Sequence, residues 1–200
     1  MAIAPRAERA VGRAVAGAAR AAAYAGGVLL AGLALMTVAS ILGRRFSGLG
    51  LGAIPGDYEL VAHGVALSVF AFLPWCQLTR GHVTVDLLID LLPPRGKAAF
   101  GLMADALVAA ASLVILAQLW RGFGEKLPYG SDALRAALGM GSKPFFPETT
   151  YELEIPTWIP YGVAVLLAAL FALTALYTVW RSLNWTLSGR EALDTPAEMV

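Results

Sequence analysis

Residues Trp158–Trp180 read WIPYGVAVLLAALFALTALYTVW, and no charged side chain interrupts them. Trp158 and Tyr161 stand at one end, Tyr177 and Trp180 at the other, with VAVLLAALFALTAL between. At the helical rise the two tryptophans lie ~33 Å apart, close to the thickness of a bilayer's hydrocarbon core. Aromatic rings favour headgroup depth, so both ends sit where a spanning helix places them. Three further stretches are long and apolar enough to cross, roughly 21–42, 58–79 and 98–120, with Trp75 and Trp120 near the ends of the second and third.

The whole chain carries the same signature. Of its 200 residues 58% are hydrophobic and 14% charged, and the mean hydropathy is +0.67, where soluble domains carry about 25% charged residues. The expected fold is an all-α integral membrane protein with four transmembrane helices. A net charge of +1 gives no footprint for nucleic acid. The lone cysteine, Cys76, excludes an internal disulfide and a cysteine-built metal cluster. Arg6, Arg9, Arg13 and Arg20 share one face of a helix within about 60°, which makes residues 1–20 a basic leader running into the first span. The apolar run that follows is too long for a signal peptide, so the leader is read as uncleaved. Arginines and lysines number about nine on one side of the four-span layout and about six on the other. That bias puts both termini in the cytoplasm, although Arg44 and Arg45 at the outer end of the first span count against it. Asp57 and Glu59 partly neutralise that pair. Residues 181–200 form the cytoplasmic tail.

No internal repeat or inverted similarity is visible, and Pro74 lies near a span end rather than at the midplane, unlike the broken helices of many stand-alone carriers. Ala23, Gly27 and Ala31 form a small-xxx-small series that permits close helix contact. The connection 121–156 is long, and long loops inside compact domains are uncommon without a role. Within it Ser131 is placed to cap a short helix over Asp132–Leu138, stopped by Gly139.

The stretch Arg80–Arg95, RGHVTVDLLIDLLPPR, separates the second and third spans. As a helix it puts His82, Asp86 and Asp90 on one stripe about 80° wide, with Val and Leu elsewhere. The same letters alternate as a strand, but a lone strand at a membrane leaves its backbone groups unpaired. The expectation is an amphipathic interfacial helix over residues 82–92, ended by Pro93–Pro94. The bland reading is a connector that only turns the chain. Metal binding by His82, Asp86 and Asp90 is disfavoured because such a surface stripe is usually solvated, and no metal, cofactor or catalytic residue is expected. His63 follows Glu59 by one turn. A Glu59–His63 hydrogen bond, joined by Arg44 or Arg45, would form a polar cluster at the outer side. Asp105 lies about two turns into the third span, with Lys97, Arg95 or a partner subunit as candidate counterions.

The ordered set IPGDYEL (Ile54–Leu60), RGHVTVDLLIDLLPPR, EIPTWIPYG (Glu154–Gly162) and RRF (Arg44–Phe46) resembles the small integral membrane subunit of TRAP (tripartite ATP-independent periplasmic) transporters, over about Tyr24 to Trp180. The resemblance implies a non-enzymatic subunit of the bacterial inner membrane. It would support a large permease subunit in ion-gradient-driven uptake, commonly coupled to sodium, of a solute such as a carboxylate delivered by a periplasmic solute-binding protein. Tyr58, Glu59, Arg80, Gly81, His82, Asp86, Asp90 and Pro93 carry the family pattern and become candidates for the partner interface. Loop 121–156, longer than the family pattern leads one to expect, is either an ornament or a contact for the binding protein. The competing reading is a haem- or quinone-associated membrane anchor of a respiratory enzyme. Against it, His63 and His82 are ~28 Å apart along a continuous helix and cannot easily flank one iron.

Overall fold

A computed structural model describes residues 5–81 and 93–188. Helix α1 runs Pro5–Arg45, α2 Asp57–Leu78, α3 Pro94–Lys126, α4 Asp132–Ala137 and α5 Trp158–Ser188, with a 3₁₀ turn at Ser47–Leu49. Among the described residues the only extended pairing is an isolated bridge between Thr149 and Pro156. Four of the helices, α1, α2, α3 and α5, are long and apolar enough to cross a membrane. From Pro5 onward the basic leader and the first span are one uninterrupted helix, and α5 continues past Trp180 through Ser188. The residues expected to form the interfacial helix, 82–92, lie outside those described.

The chain forms two compact units. One comprises Met1–Ala23, Phe72–Leu116 and Ala168–Val200, the other Tyr24–Ala71 and Ala117–Leu167. In lipid, apolar side chains gain nothing by leaving one hydrocarbon for another, so helices associate through close approach of small residues and through hydrogen bonds. In the first unit the buried positions of α1 include Gly12, Ala16 and Ala19, those of α3 include Ala98, Asp105 and Ser112, and those of α5 include Ala168, Ala175 and Ser182. Gly12–Ala19, the α3 set and the α5 set each recur every seven residues, the period that keeps one seam of a helix against its neighbours. Larger groups fill one end: Leu78 and Tyr177 bury with Ala16, and Trp75 and Trp180 pack half-buried against them. The Arg20 guanidinium lies 5.6 Å from the Trp75 ring centre, and Asn184 Nδ2 donates to Glu8 Oε2 at 2.5 Å.

The second unit uses the same rule. Gly26, Leu33 and Ser40 of α1 and Gly64 and Ala71 of α2 are buried at sevenfold spacing. A Cβ on Gly64 would come within 2.5 Å of Leu33 Cδ1, so the glycine permits that contact. The small-xxx-small series faces elsewhere: Ala31 is exposed and a Cβ on Gly27 would meet nothing within 4 Å.

The long connection is built around a cation. Ser131 caps α4, its Oγ accepting from Leu134 N at 3.4 Å, and Gly139 takes the left-handed conformation just beyond it. Arg135 of α4 is 1% exposed. Its Nε donates to Gly141 O, Nη1 to Leu127 O and Tyr129 O, and Nη2 to Gly124 O, Met140 O and Ser142 O, at 2.5–3.4 Å. A guanidinium presents a rigid fork of donors, and here that fork takes the place of a hydrophobic core for the loop. Trp120 Nε1 donates to Leu138 O at 2.8 Å, Lys126 pairs with Glu148, and the Tyr129 and Trp158 rings meet edge to face at 5.9 Å.

Two outcomes test this architecture. Ala175→Leu inserts a large side chain into a fully buried seam and is expected to cost about 1–3 kcal/mol, read as a lower midpoint in reversible detergent unfolding. Arg135→Ala leaves carbonyl groups without donors, each costing about 1–3 kcal/mol if it stays buried. Loop 127–157 should then become susceptible to limited proteolysis, while helicity measured by circular dichroism changes little.

Candidate functional site

The end of α2 is closed by an accounting of its last carbonyls, which no following turn of helix can satisfy. Trp75 O accepts from Thr79 N at 3.0 Å and from Thr79 Oγ1 at 2.8 Å, Cys76 O from Gly81 N at 2.8 Å, and Gln77 O from Arg80 N at 3.3 Å. Leu78 O accepts from Arg181 Nη2 of α5 at 3.1 Å. The Gly81 and Arg80 bonds are the crossed pair of a Schellman motif. Glycine usually takes its left-handed position, yet here Arg80 does, at φ +53°, and Gly81 comes one residue later. For an L-residue that conformation costs roughly 1–2 kcal/mol.

The guanidinium of Arg80 is held within the first unit. Its Nη2 donates to Asp105 Oδ2 of α3 at 3.2 Å and to Ser182 Oγ of α5 at 2.9 Å. It passes over Gly101 of α3, where a Cβ would stand 3.2 Å from Nη1, and lies 5.1 Å from the Trp185 ring centre. Asp105 is buried and engaged on both oxygens. Gln77 Nε2 reaches Oδ1 at 3.0 Å, while Arg80 and the Ser182 hydroxyl share Oδ2. Gln77 Nε2 also donates to Thr178 Oγ1 at 2.9 Å. Arg181, itself buried, stacks 4.9 Å from the Trp185 ring and 5.9 Å from Tyr177. The Nε of each arginine is buried without a hydrogen-bond partner. One carboxylate thus ties α2, α3 and α5 together through charge-assisted bonds. Asp105 is the buried member of the pair, whereas the Arg80 side chain stays 32% exposed, so removing the arginine leaves a buried carboxylate without its counterion while removing the carboxylate leaves a cation that water can reach.

The second unit carries its own polar cluster, where α2 begins. Ser40 Oγ donates to Asp57 Oδ2 at 2.5 Å and accepts from Ile54 N at 3.2 Å, and Arg44 Nη2 reaches the same Asp57 oxygen at 3.1 Å. The carboxylates of Glu59 and Glu152 each accept from the backbone of the other's segment. Glu59 accepts from Glu152 N at 2.7 Å and Leu153 N at 3.2 Å, and Glu152 accepts from Gly56 N at 2.5 Å. Loop 148–157 closes on itself through Thr150 N to Ile155 O and Thr157 N to Glu148 O, both 2.9 Å. A cavity of about 180 Å³ opens beneath it, lined by Glu59, His63, Leu67, Leu153, Ile159 and Val163 among others.

The structure gives the polar residues singled out in the sequence the following partners. Among the described residues the counterion of Asp105 is Arg80, from the turn that ends the preceding helix, where the sequence had offered Lys97, Arg95 or a partner subunit. His63 Nδ1 bonds the Glu59 main-chain oxygen at 2.8 Å, while the Glu59 carboxylate goes to the loop backbone. Arg44 pairs with Asp57. Tyr58, adjacent to Glu59, is 81% exposed. Pro93 and Gly81 are exposed, and His82, Asp86 and Asp90 fall outside the described residues. Sequence reasoning missed Gln77, Thr178, Arg181, Ser182 and Arg135. The first four carry a usable signal, since polar residues recur at helical spacing at the neighbouring ends of two spans. Arg135 carries none, because nothing in DALRAALG distinguishes a buried arginine from a solvated one.

No curated protein and no solved structure matches the chain. A family match does, and it covers residues 33–184, from the second half of α1 through the whole polar cluster on α5. The family is described as tripartite ATP-independent periplasmic transporters, DctQ component. With four span-capable helices and a match over most of its length, the chain belongs to the DctQ family, the small membrane component of TRAP transporters.

Proposed function

We propose that this chain supports the large permease subunit of a TRAP transporter in the inner membrane, where an ion gradient drives uptake of a solute, most simply a carboxylate, handed over by a periplasmic binding protein. Family membership over residues 33–184, from the last part of the first span through the fourth, is the observation that carries the reading. The packing is consistent with it. The buried carboxylate and amide of the first unit are engaged with neighbouring side chains, as in a scaffold rather than a solute path. The orientation we adopt puts both termini, with the leader 1–20 and the tail 181–200, in the cytoplasm. His82, Asp86 and Asp90 then face the inner surface as an interfacial brace flanked by Gly81 and Pro93. Loop 121–156 and the exposed Tyr58 face the outside, within reach of the large subunit or the binding protein.

Arg80, Glu59 and Arg44 have partners within the chain, so in this reading they set the shape of the interface, and Tyr58 and the acidic stripe touch the partner. Arg45, His63 and Asp105 contribute to that shape rather than to transport chemistry.

The test is co-purification with the large subunit in mild detergent, followed by uptake in proteoliposomes supplied with the binding protein and a sodium gradient. The parent chain should travel with the large subunit and should accumulate nothing when reconstituted alone. Tyr58→Ala and Asp86→Leu should each lower complex recovery about tenfold, the equivalent of ~1.4 kcal/mol. Accumulation by the small subunit alone, or unchanged recovery and uptake in both variants, would refute the assignment.

A further inference from the structure

Arg80 occupies a backbone position that glycine fills more easily, while a glycine stands one residue away. A helix stop needs no guanidinium there, since the crossed bonds to Cys76 O and Gln77 O are made by backbone N–H groups alone. What the arginine adds is attachment. From the left-handed position its side chain turns back into the first unit, crosses Gly101, and is held by Asp105 on α3 and Ser182 on α5. The carbonyl of Leu78, the last residue of α2, is held from α5 as well, by Arg181, and both guanidinium groups lie against Trp185. Two of the three bonded anchors of this turn therefore come from side chains of α5, and the third from α3.

We infer that Arg80 is a positioning residue: its ion pair with Asp105 fixes the direction in which the chain leaves α2 at Gly81. The strained backbone and the ion pair make one device, because the conformation of residue 80 is what aims its side chain at Asp105. The exit direction is then conditional on α3 and α5 being in place. A helix cap made of local backbone bonds would lack this dependence. The inference goes beyond the proposed function, and rests on it only for the consequence that the residues after Gly81 are presented to the large subunit.

A nitroxide at Gly81 reads this directly. A side chain is admissible there, since Gly81 is exposed, has no positive φ, and a Cβ would stand no closer than 3.4 Å to any neighbour. Cys76 is the only cysteine, so the full-length chain with Cys76→Ala and Gly81→Cys carries a single label in lipid nanodiscs. A second preparation carries the label at Val114, an exposed position on α3, as the control for general loosening.

The label at 81 should be immobilised in the parent background. Asp105→Asn, 24 residues away in sequence, should shorten its rotational correlation time about twofold on the nanosecond scale, and Arg80→Gly should do the same although it relieves the backbone. The label at 114 should stay unchanged in both. An unchanged label at 81 in both variants would mean that the local cap alone fixes the exit, and equal mobilisation at 81 and 114 would mean that the pair merely holds the helices together. Either result overturns the inference. If Asp105→Asn does not accumulate, the double variant Arg80→Gly, Asp105→Asn removes both charges at once and is read by the same criteria. Uptake measured in parallel bears only on the proposed function, so the two readings fail separately.

Discussion

A carboxylate shielded from water must find hydrogen-bond donors within the protein, and Asp105 meets this demand with three, one from α2, one from the turn that follows it and one from α5. Much of the first unit follows from that requirement. Helix α2 must end where Arg80 can turn inward. Helix α5 must continue beyond Trp180, since Ser182, which completes the carboxylate's shell, lies there. Gly101, one turn before Asp105 on α3, leaves the room that the guanidinium occupies. The small-residue seams bring the helices close enough for these bonds, and the bonds in turn select one register among the several that small residues alone would tolerate.

The long connection solves a related problem with the opposite sign of charge at its centre. The segment leaves Tyr129, Leu134, Leu138, Phe145, Phe146 and Tyr151 exposed rather than gathered into a core, and backbone carbonyls are gathered on one arginine instead. Its far end is then tied to the start of α2 by the Glu59 carboxylate, which accepts from Glu152 N and Leu153 N, and by the Glu152 carboxylate, which accepts from Gly56 N. Tyrosine and glutamate adjacent in one motif thus divide their roles. Glu59 organises the chain's own loop, and Tyr58 beside it is left outward.

The four spans were legible in the sequence because lipid imposes a length and a composition that few other environments demand, and Trp158–Trp180 satisfies both. The cap at Ser131 was legible because its chemistry is local. The partners of Asp105 were not, for a specific reason: Arg80 and Ser182 lie at or just beyond the apolar runs, where polar side chains ordinarily meet water. The packing face of α1 could not be read from Ala23, Gly27 and Ala31, since in an alanine-rich helix small residues recur on several faces. Only the neighbours decide which face is used, and they chose the one carrying Gly12, Ala19, Gly26, Leu33 and Ser40.

Half of the most apolar stretch of α5 is buried, against 17%, 22% and 17% for α1, α2 and α3. Synthesis proceeds from the N-terminus, so this most enclosed helix is also the last of the four to leave the ribosome. Until it arrives, the seams of the earlier three have only one another and lipid to pack against, and Asp105 lacks its serine. Completion of the fold is thereby deferred to the end of translation, and a chain that stops short of α5 forfeits its most enclosed helix.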